Sequence, residues 1–196
     1  MVISVALMLC SCDKEGAAVF EGNYSFKTGG SLDATGKVYD IKYDTIGVDT
    51  LIYDYTVGEV TLHDTVYRYH TQNDTISSRD TVVTLHLVAE SGQMHILRAE
   101  GNDMIVTMNV TGGDPVVMDA VVADGVITLN PTRRMVPVRE WINEGQTYFD
   151  MTVSGSGKRY DNMVLFDLTY EGTYNYAGFE GVVTGSRVNC IATENE

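Results

Sequence analysis

Histidine side chains are the first candidates for chemistry in this sequence, because imidazoles bind metal ions and exchange protons near neutral pH. His63, His86 and His95 each lie opposite the more apolar residues of a strand-like run. If those strands are neighbours, the three rings could form a zinc site. No two histidines stand at a diagnostic ligand spacing, so we favour solvated histidines on a polar face and predict neither a metal nor a cofactor.

Carboxylate side chains are plentiful, but their spacing shows no catalytic pattern. The chain contains 27 Asp and Glu residues, and any β-sheet protein of this composition would place some of them close together. A glycosidase needs two carboxylates at a set separation across a cleft, which sequence spacing does not reveal. The sequence has no nucleophile elbow, P-loop or dinucleotide-binding fingerprint. We therefore predict that the protein is not an enzyme and keep a small hydrolase as an alternative.

Tyrosines spaced two residues apart are more informative. The chain has 12 tyrosines, and three such pairs, one of them Tyr174 and Tyr176, place both rings on one side of a strand. Tyrosine suits a half-buried or ligand-lining position because its ring is apolar and its hydroxyl is polar. The alternative is cross-strand packing between the rings. The candidate ligand contacts are Tyr53, Tyr55, Tyr67 and Tyr69.

Five Asp-Thr-aliphatic triplets lie between Asp44 and Val82, whereas composition alone predicts roughly one in the whole chain. Strand chemistry offers one explanation, because Asp favours strand ends and Thr with an aliphatic residue suits the strand that follows. The triplet also resembles the O-glycosylation sequon of exported Bacteroidetes proteins. That resemblance implies sugar on exposed threonines. The candidate acceptors are Thr45, Thr50, Thr65, Thr75 and Thr81.

The charge balance excludes two classes of partner. Lys and Arg number 13 against 27 Asp and Glu, which gives a formal net charge of -14 over 196 residues. Nucleic acid requires a basic surface, and so does a polybasic attachment to anionic lipid. Hydrophobic residues make up 44% of the chain, enough for a folded domain with its own core. An acidic binding module and a small acidic enzyme both fit this composition.

The N-terminal sequence predicts export. Met1–Leu9 is apolar, uncharged and too short to span a bilayer, which is typical of the apolar part of a signal peptide. The following Leu9-Cys10-Ser11-Cys12 resembles the bacterial lipoprotein box. This resemblance implies a signal peptide over residues 1–11, lipidation of Cys12, a tether over residues 12–19, and anchoring to the periplasmic or cell-surface face of the outer membrane. The alternative is a cytosolic N-terminus with two incidental cysteines.

This interpretation leaves one cysteine in the mature chain besides Cys12. With residues 1–11 removed and Cys12 lipidated, Cys190 alone remains, and one cysteine forms no internal disulfide. Its apolar, strand-like surroundings predict a small buried hydrophobic residue.

Period-two alternation dominates the rest of the chain and predicts one all-β domain over residues 20–196. Val, Thr, Ile and Tyr fill the alternating runs, as in 60–67, 82–88 and 104–111. Asp124-Gly125 is the clearest hairpin signal, because this pair adopts the positive φ angles of a type I′ turn. We expect about ten strands in a single antiparallel β-barrel, or alternatively a two-sheet sandwich. Further predicted turns are Gly29-Gly30, Ser91-Gly92, Gly101-Asn102, Gly112-Gly113 and a loop at 154–157.

Several short motifs resemble those of lipocalin and calycin barrels. Gly22-Asn23-Tyr24 is similar to the Gly-x-Trp that opens these barrels, with Tyr in place of Trp. Ser91–Met94, Gly155–Asp161 and Gly185–Val188 look like stretches of lipocalin-like Bacteroidetes lipoproteins. The resemblance implies a barrel fold and an envelope location, but it does not identify a ligand.

Together these features predict a lipid-anchored, non-catalytic binding module whose barrel holds a small apolar or glycan ligand. The alternative is a structural or interaction lipoprotein with a packed barrel that binds another envelope protein. A large cavity would favour the first prediction. A solid core with an exposed apolar patch would favour the second.

Overall fold

The computed structural model describes residues 16–57, 59–140 and 145–195. Within these ranges the side chains of residues 41, 43, 55, 57, 63, 73, 75 and 76 lie outside the description. A short 3-10 helix at Gly16–Phe20 comes first. The strands of the described ranges are β1 (Gly22–Val57), β2 (Val60–Leu87), β3 (Ser91–Arg98), β4 (Asp103–Val110), β5 (Val116–Ala123), β6 (Val126–Arg139), β7 (Thr147–Tyr160), β8 (Met163–Tyr176) and β9 (Phe179–Glu194).

These strands form one sheet in the order β2-β1-β3-β4-β5-β6-β7-β8-β9, with further pairings of β2 with β6 and of β1 with β9. Successive pairs from β3 to β8 are antiparallel, as is the pair of β1 and β3. The prediction of an all-β, antiparallel fold is confirmed. The described residues contain nine strands, where the sequence predicted about ten. No helix within the described ranges is long and apolar enough to cross a membrane.

The hairpin turns that the sequence marked most clearly are present. Asp124 and Gly125 have φ angles of 50° and 73° and connect β5 to β6. Both angles are positive, as a type I′ turn requires. Gly101 and Gly112, with φ angles of 59° and 76°, lie in the turns that follow β3 and β4. These turn predictions are therefore confirmed.

Other predicted turns lie within strands instead, namely 29–30 in β1, 91–92 in β3 and 154–157 in β7. Apart from Gly29, the glycines there allow close approach of a neighbouring chain segment. A Cβ atom at Gly30 would lie 2.1 Å from the carbonyl oxygen of Arg187. A Cβ atom at Gly155 would lie 2.4 Å from that of Asp167. A turn glycine and a close-approach glycine look alike in sequence, which is why these predictions were wrong.

The described chain separates into two compact units. The first contains residues 16–34, 83–140, 145–174 and 182–195 and holds nearly all of the buried apolar side chains. Its strands alternate inward and outward residues, and β5 shows this most clearly, with Val116, Met118, Ala120 and Val122 all buried. Cys190 on β9 is buried as well, which confirms its predicted role as a small core residue.

The second unit contains residues 35–82 and 175–181. In its β1–β2 hairpin, His70 Nε2 lies 2.7 Å from Asp49 Oδ2, and Ser77 Oγ donates to Asp40 Oδ2 at 2.6 Å. Odd-numbered residues of β1 therefore lie on the same face of the hairpin as even-numbered residues of β2. Even-numbered residues of β1 and odd-numbered residues of β2 lie together on the opposite face. On the second of these two faces, segments 46–52 and 65–71 carry no charged residue. We call this the uncharged face, and its members are Ile46, Val48, Thr50, Ile52, Thr65, Tyr67, Tyr69 and Thr71, all of them exposed.

Candidate ligand-binding site

A cleft of about 610 Å³ opens in the first unit. This volume lies within the range that small-molecule sites usually have. Its walls combine charged, aromatic and apolar side chains, so it offers both hydrogen-bonding groups and apolar surface. The lining residues include Glu90, Asp114, Pro115, Arg134, Pro137 and Tyr148.

Three parts of the fold position these residues. Arg134 and Pro137 belong to β6, and Tyr148 is paired with Pro137 across the β6–β7 ladder. Asp114 and Pro115 belong to the loop between β4 and β5, whose bend begins at Gly112 with a φ of +76°. The cleft therefore has a rigid β-sheet wall and a loop wall.

The backbone of Glu90 is held from both sides by Thr28, which is itself buried. The Thr28 amide donates to the Glu90 carbonyl at 2.8 Å, and the Glu90 amide donates to Thr28 Oγ1 at 2.9 Å. These two bonds hold the connection between β2 and β3 against the start of β1. The backbone of Glu90 is thereby fixed beside the cleft.

Arg134 and Glu90 form a buried ion pair at the cleft. Nη2 of Arg134 donates to Oε1 of Glu90, and only 12% and 10% of the two side chains are exposed. Nε of Arg134, by contrast, is a buried donor with no hydrogen-bond partner among the described residues. An unpaired buried donor costs about 1–3 kcal/mol relative to a paired one. Such a group calls for an explanation, and it belongs to a side chain that lines the cleft.

The surroundings of this ion pair are strongly desolvated. Burial raises the pKa of Tyr170 above its usual range, an effect that the charge of Arg134 partly offsets and the charge of Glu90 reinforces. Burial also raises the pKa of Cys190 to about 12, and Glu90 again contributes. At neutral pH both groups are protonated and neutral. Cys190 is thus no nucleophile here, because nucleophilic attack requires the thiolate.

Tyr148 forms the aromatic part of the wall. Its ring is 53% exposed, and its hydroxyl accepts a hydrogen bond of 2.7 Å from Gln146 Nε2. A neighbouring depression of about 290 Å³ shares Glu90, Pro137 and Tyr148 with the cleft. A ligand longer than one small ring could therefore extend along the same wall.

The tyrosines that the sequence singled out lie elsewhere. Tyr53, Tyr67 and Tyr69 are exposed residues of the second unit, and none of them lines the cleft. Tyr67 and Tyr69 lie on the uncharged face, whereas Tyr53 lies on the opposite face of the hairpin. The side chain of Tyr55 is outside the description. The three candidates with described side chains, Tyr53, Tyr67 and Tyr69, therefore do not form one contact surface.

The candidate modification sites are likewise in the second unit or outside the description. Thr45, Thr50 and Thr65 are exposed, and Thr81 is half-buried. The side chain of Thr75 lies outside the described set, and Cys12 and the signal-peptide residues precede the described ranges. The exposed threonines offer the accessibility that an attached sugar requires.

Two histidines of the described ranges contact a polar or acidic side chain of another strand. His95 Nδ1 lies 2.6 Å from Asn23 Oδ1, and His70 pairs with Asp49. His86 is half-buried, and the side chain of His63 is not described. Among the described residues, no group of three His, Cys, Asp or Glu side chains could hold a metal ion.

Sequence reasoning missed Glu90, Arg134 and Tyr148. One signal was available for Arg134. It has the same parity along β6 as the buried residues Val136 and Val138, so alternation places a charged group at an inward position. Glu90 carried no such signal, because its nearness to Arg134 depends on the pairing of β2 with β6.

No known protein family matches the sequence, and no curated protein matches it. Among solved structures, the crystal structure of a lysenin pore aligns with 89% of this chain and 99% of that chain, at 7% identity. The TM-score of that alignment is 0.14, well below the value that indicates a shared fold. The likeness therefore carries no functional argument.

Proposed function

We propose that this chain is a non-catalytic binding module that holds a small ligand in the cleft beside Glu90 and Arg134. The observation that carries this proposal is the buried ion pair of Arg134 with Glu90, whose two residues line a cleft of ligand size, and whose Arg134 Nε–H lacks a partner among the described residues. Clefts with a few convergent polar groups on a rigid scaffold are typical binding sites.

The proposal includes the lipocalin-like barrel that the sequence motifs suggested. Pairing of the last strand, β9, with β1 supports it, because closure of a sheet removes its free edges. Hydrogen exchange of the β1 and β9 amides tests closure. Fast exchange along residues 186–192, which face β1 in a closed ring, would contradict it.

The proposed location is the outer membrane, reached through the signal sequence and the lipid on Cys12. The support is the Leu9-Cys10-Ser11-Cys12 motif, together with the rule that stable membrane attachment requires more than one acyl chain. Labelling of the native host with a fatty-acid analogue tests this directly. Label should enter the wild-type protein and be absent from Cys12→Ser. Equal labelling of both, or of neither, would contradict lipidation at Cys12.

Native mass spectrometry of protein purified gently from its own host tests the binding function. We expect a small molecule that is released on denaturation and is lost from Tyr148→Ala. The matched control is Tyr160→Ala, whose ring is exposed to the same extent, at 54%, but does not line the cleft. Protein that carries only its covalent modifications would contradict the proposal, as would a ligand retained equally by both variants.

An interaction role is a second candidate function, favoured by the uncharged face of the second unit. Exposed contiguous apolar side chains on a soluble surface commonly mark a protein contact, and here Ile52 is 67% exposed and Ile46 64% exposed. An uncharged patch on a chain of net charge -14 suits a partner surface that is also apolar. Glycans on Thr50 and Thr65, which belong to this face, would cover it. The glycan proposal and the docking role thus compete for one surface.

Cross-linking in intact envelopes distinguishes these uses of the hairpin. A protein partner should be captured by the wild-type chain and lost from Ile46→Lys, while Tyr53→Lys on the opposite face should retain it. Capture that is unaffected by Ile46→Lys would contradict docking through the uncharged face.

A further inference from the structure

We propose that the cleft selects a neutral, hydroxyl-rich ligand, namely an uncharged sugar, over acidic sugars and over purely apolar molecules. This inference rests on the proposed binding function. It follows from three properties of the cleft, which are its charge balance, the hydrogen-bonding groups it presents and the position of the Tyr148 ring.

The charge balance disfavours anions. Glu90 and Asp114 contribute two carboxylates against the single guanidinium of Arg134. The guanidinium is already neutralised by Glu90 through their buried ion pair, so no cation is free to receive an acidic group. The whole chain adds a net charge of -14. A carboxylate or phosphate entering the cleft would therefore meet like charge at close range.

The hydrogen-bonding groups disfavour an apolar ligand. Such a ligand would strip water from the carboxylates of Glu90 and Asp114 without replacing the hydrogen bonds that the water made. A hydroxyl group both donates and accepts a hydrogen bond. A ligand with several hydroxyls can thus accept from the Arg134 guanidinium and donate to a carboxylate oxygen at the same time. Sugars present such groups on neighbouring carbon atoms.

The aromatic wall completes the match. The Tyr148 ring is half exposed, and its hydroxyl is held by Gln146, so its orientation is restrained. A sugar ring has one face of C–H groups, and the apolar body of a tyrosine suits contact with that face. Pro115 and Pro137 extend the apolar surface beside it. The adjoining depression has room for a second sugar unit along the same wall.

The test is an NMR and calorimetric titration of the full chain with two sets of probes. The neutral set contains glucose, galactose, mannose, N-acetylglucosamine and their disaccharides, and the acidic set contains glucuronate and galacturonate. We expect at least one neutral sugar to bind, with chemical-shift changes at residues 112–116 and 134–137, and the acidic sugars to bind at least tenfold more weakly. Because the ligand is uncharged, its affinity should change little between 50 and 500 mM salt.

Variants separate the contribution of Arg134 from that of general cleft shape. Arg134→Lys keeps the positive charge beside Glu90 but removes the guanidinium donors, and we expect about a tenfold loss of affinity, as for one charge-assisted hydrogen bond. The matched control is the adjacent Arg133→Lys, which lies on the solvent face and should leave affinity unchanged. If Arg134→Lys does not fold, Tyr148→Ala provides the second test, because its half-exposed ring contributes little to the core.

The outcomes distinguish this inference from the function on which it rests. Tighter binding of the acidic sugars in the cleft, or a purely aliphatic ligand in the natively purified protein, would overturn the sugar inference and leave the binding module in place. Absence of any ligand from the native protein together with no response to either probe set would overturn both. Neutral-sugar binding that leaves residues 112–116 and 134–137 unperturbed would overturn the assignment of the cleft.

Discussion

Arg159 lies 2.9 Å from the hydroxyl of Tyr24, measured from Nη1, although 135 residues separate the two in the chain. The same Nη1 donates to the Val19 carbonyl at 2.6 Å, and Nε donates to the Asp161 carbonyl at 2.9 Å. Nη2 pairs with the Glu194 carboxylate. One guanidinium therefore joins the N-terminal 3-10 helix, the start of β1, the end of β7 and the end of β9.

Replacement of Arg159 with Met should destabilise the first unit by about 1–3 kcal/mol, because three acceptors lose a charged donor and the mostly buried Glu194 carboxylate loses its partner. The midpoint of urea unfolding measures this loss. Arg133→Met is the control, since Arg133 forms a comparable ion pair with Asp150 but is 78% exposed. Equal midpoints for the two variants would contradict the structural role of Arg159.

The neighbouring glycines Gly29 and Gly30 should respond differently to alanine. At Gly30 the φ angle is +144°, and a Cβ atom would meet the Arg187 carbonyl, so Gly30→Ala should cost about 1–3 kcal/mol or more. At Gly29 a Cβ atom would meet nothing within 4 Å, so Gly29→Ala should stay within about 1 kcal/mol of wild type. Thermal unfolding of both variants tests the pair. Similar melting temperatures would contradict the close contact of β1 with β9.

Stability should fall at alkaline pH in a manner that depends on Cys190. Burial raises the pKa of this thiol to about 12, whereas in the unfolded chain the thiol ionises near pH 8.5. Between these values the unfolded chain has released the proton and the folded chain has not. The stability that is present below about pH 8.5 is therefore lost as pH rises towards 12, by up to about 1.4 kcal/mol per pH unit.

Urea unfolding of wild type and Cys190→Ala at pH 8, 9 and 10 measures the Cys190 contribution. The slope of stability against pH should be steeper in wild type, and identical slopes would show that the thiol does not titrate as its burial requires. Burial also raises the pKa of Tyr170, so a further loss shared by both proteins is expected above pH 10.

Intact-mass analysis of protein from its native host should show sugar on the Asp-Thr triplets. We expect a mass above that of lipid plus polypeptide, and stepwise loss of one glycan each in Thr45→Ala, Thr50→Ala and Thr65→Ala, whose threonines are exposed. Thr128→Ala on the solvent side of β6 is the control, because that threonine is exposed but follows Ile127 rather than an aspartate. A mass equal to lipid plus polypeptide would exclude glycosylation.

Several features of the fold were predictable from local sequence. Alternation with β-branched and aromatic residues predicted the all-β architecture, because side chains of a strand point to opposite faces in turn. The Asp124-Gly125 pair predicted its turn because only a few residue types adopt positive φ angles at low cost. The apolar surroundings of Cys190 predicted its burial. Each of these inferences depends on residues within a few positions of one another.

The candidate site depended on long-range pairing. Glu90 and Arg134 are 44 residues apart and meet because Thr28 anchors one and β6 presents the other. Gly30 was mistaken for a turn because the Arg187 carbonyl beside it comes from a strand more than 150 residues away. Composition, periodicity and turn chemistry are local properties that a sequence determines by itself. Which charged groups are buried together depends on strand order and register, and only the tertiary structure decides those.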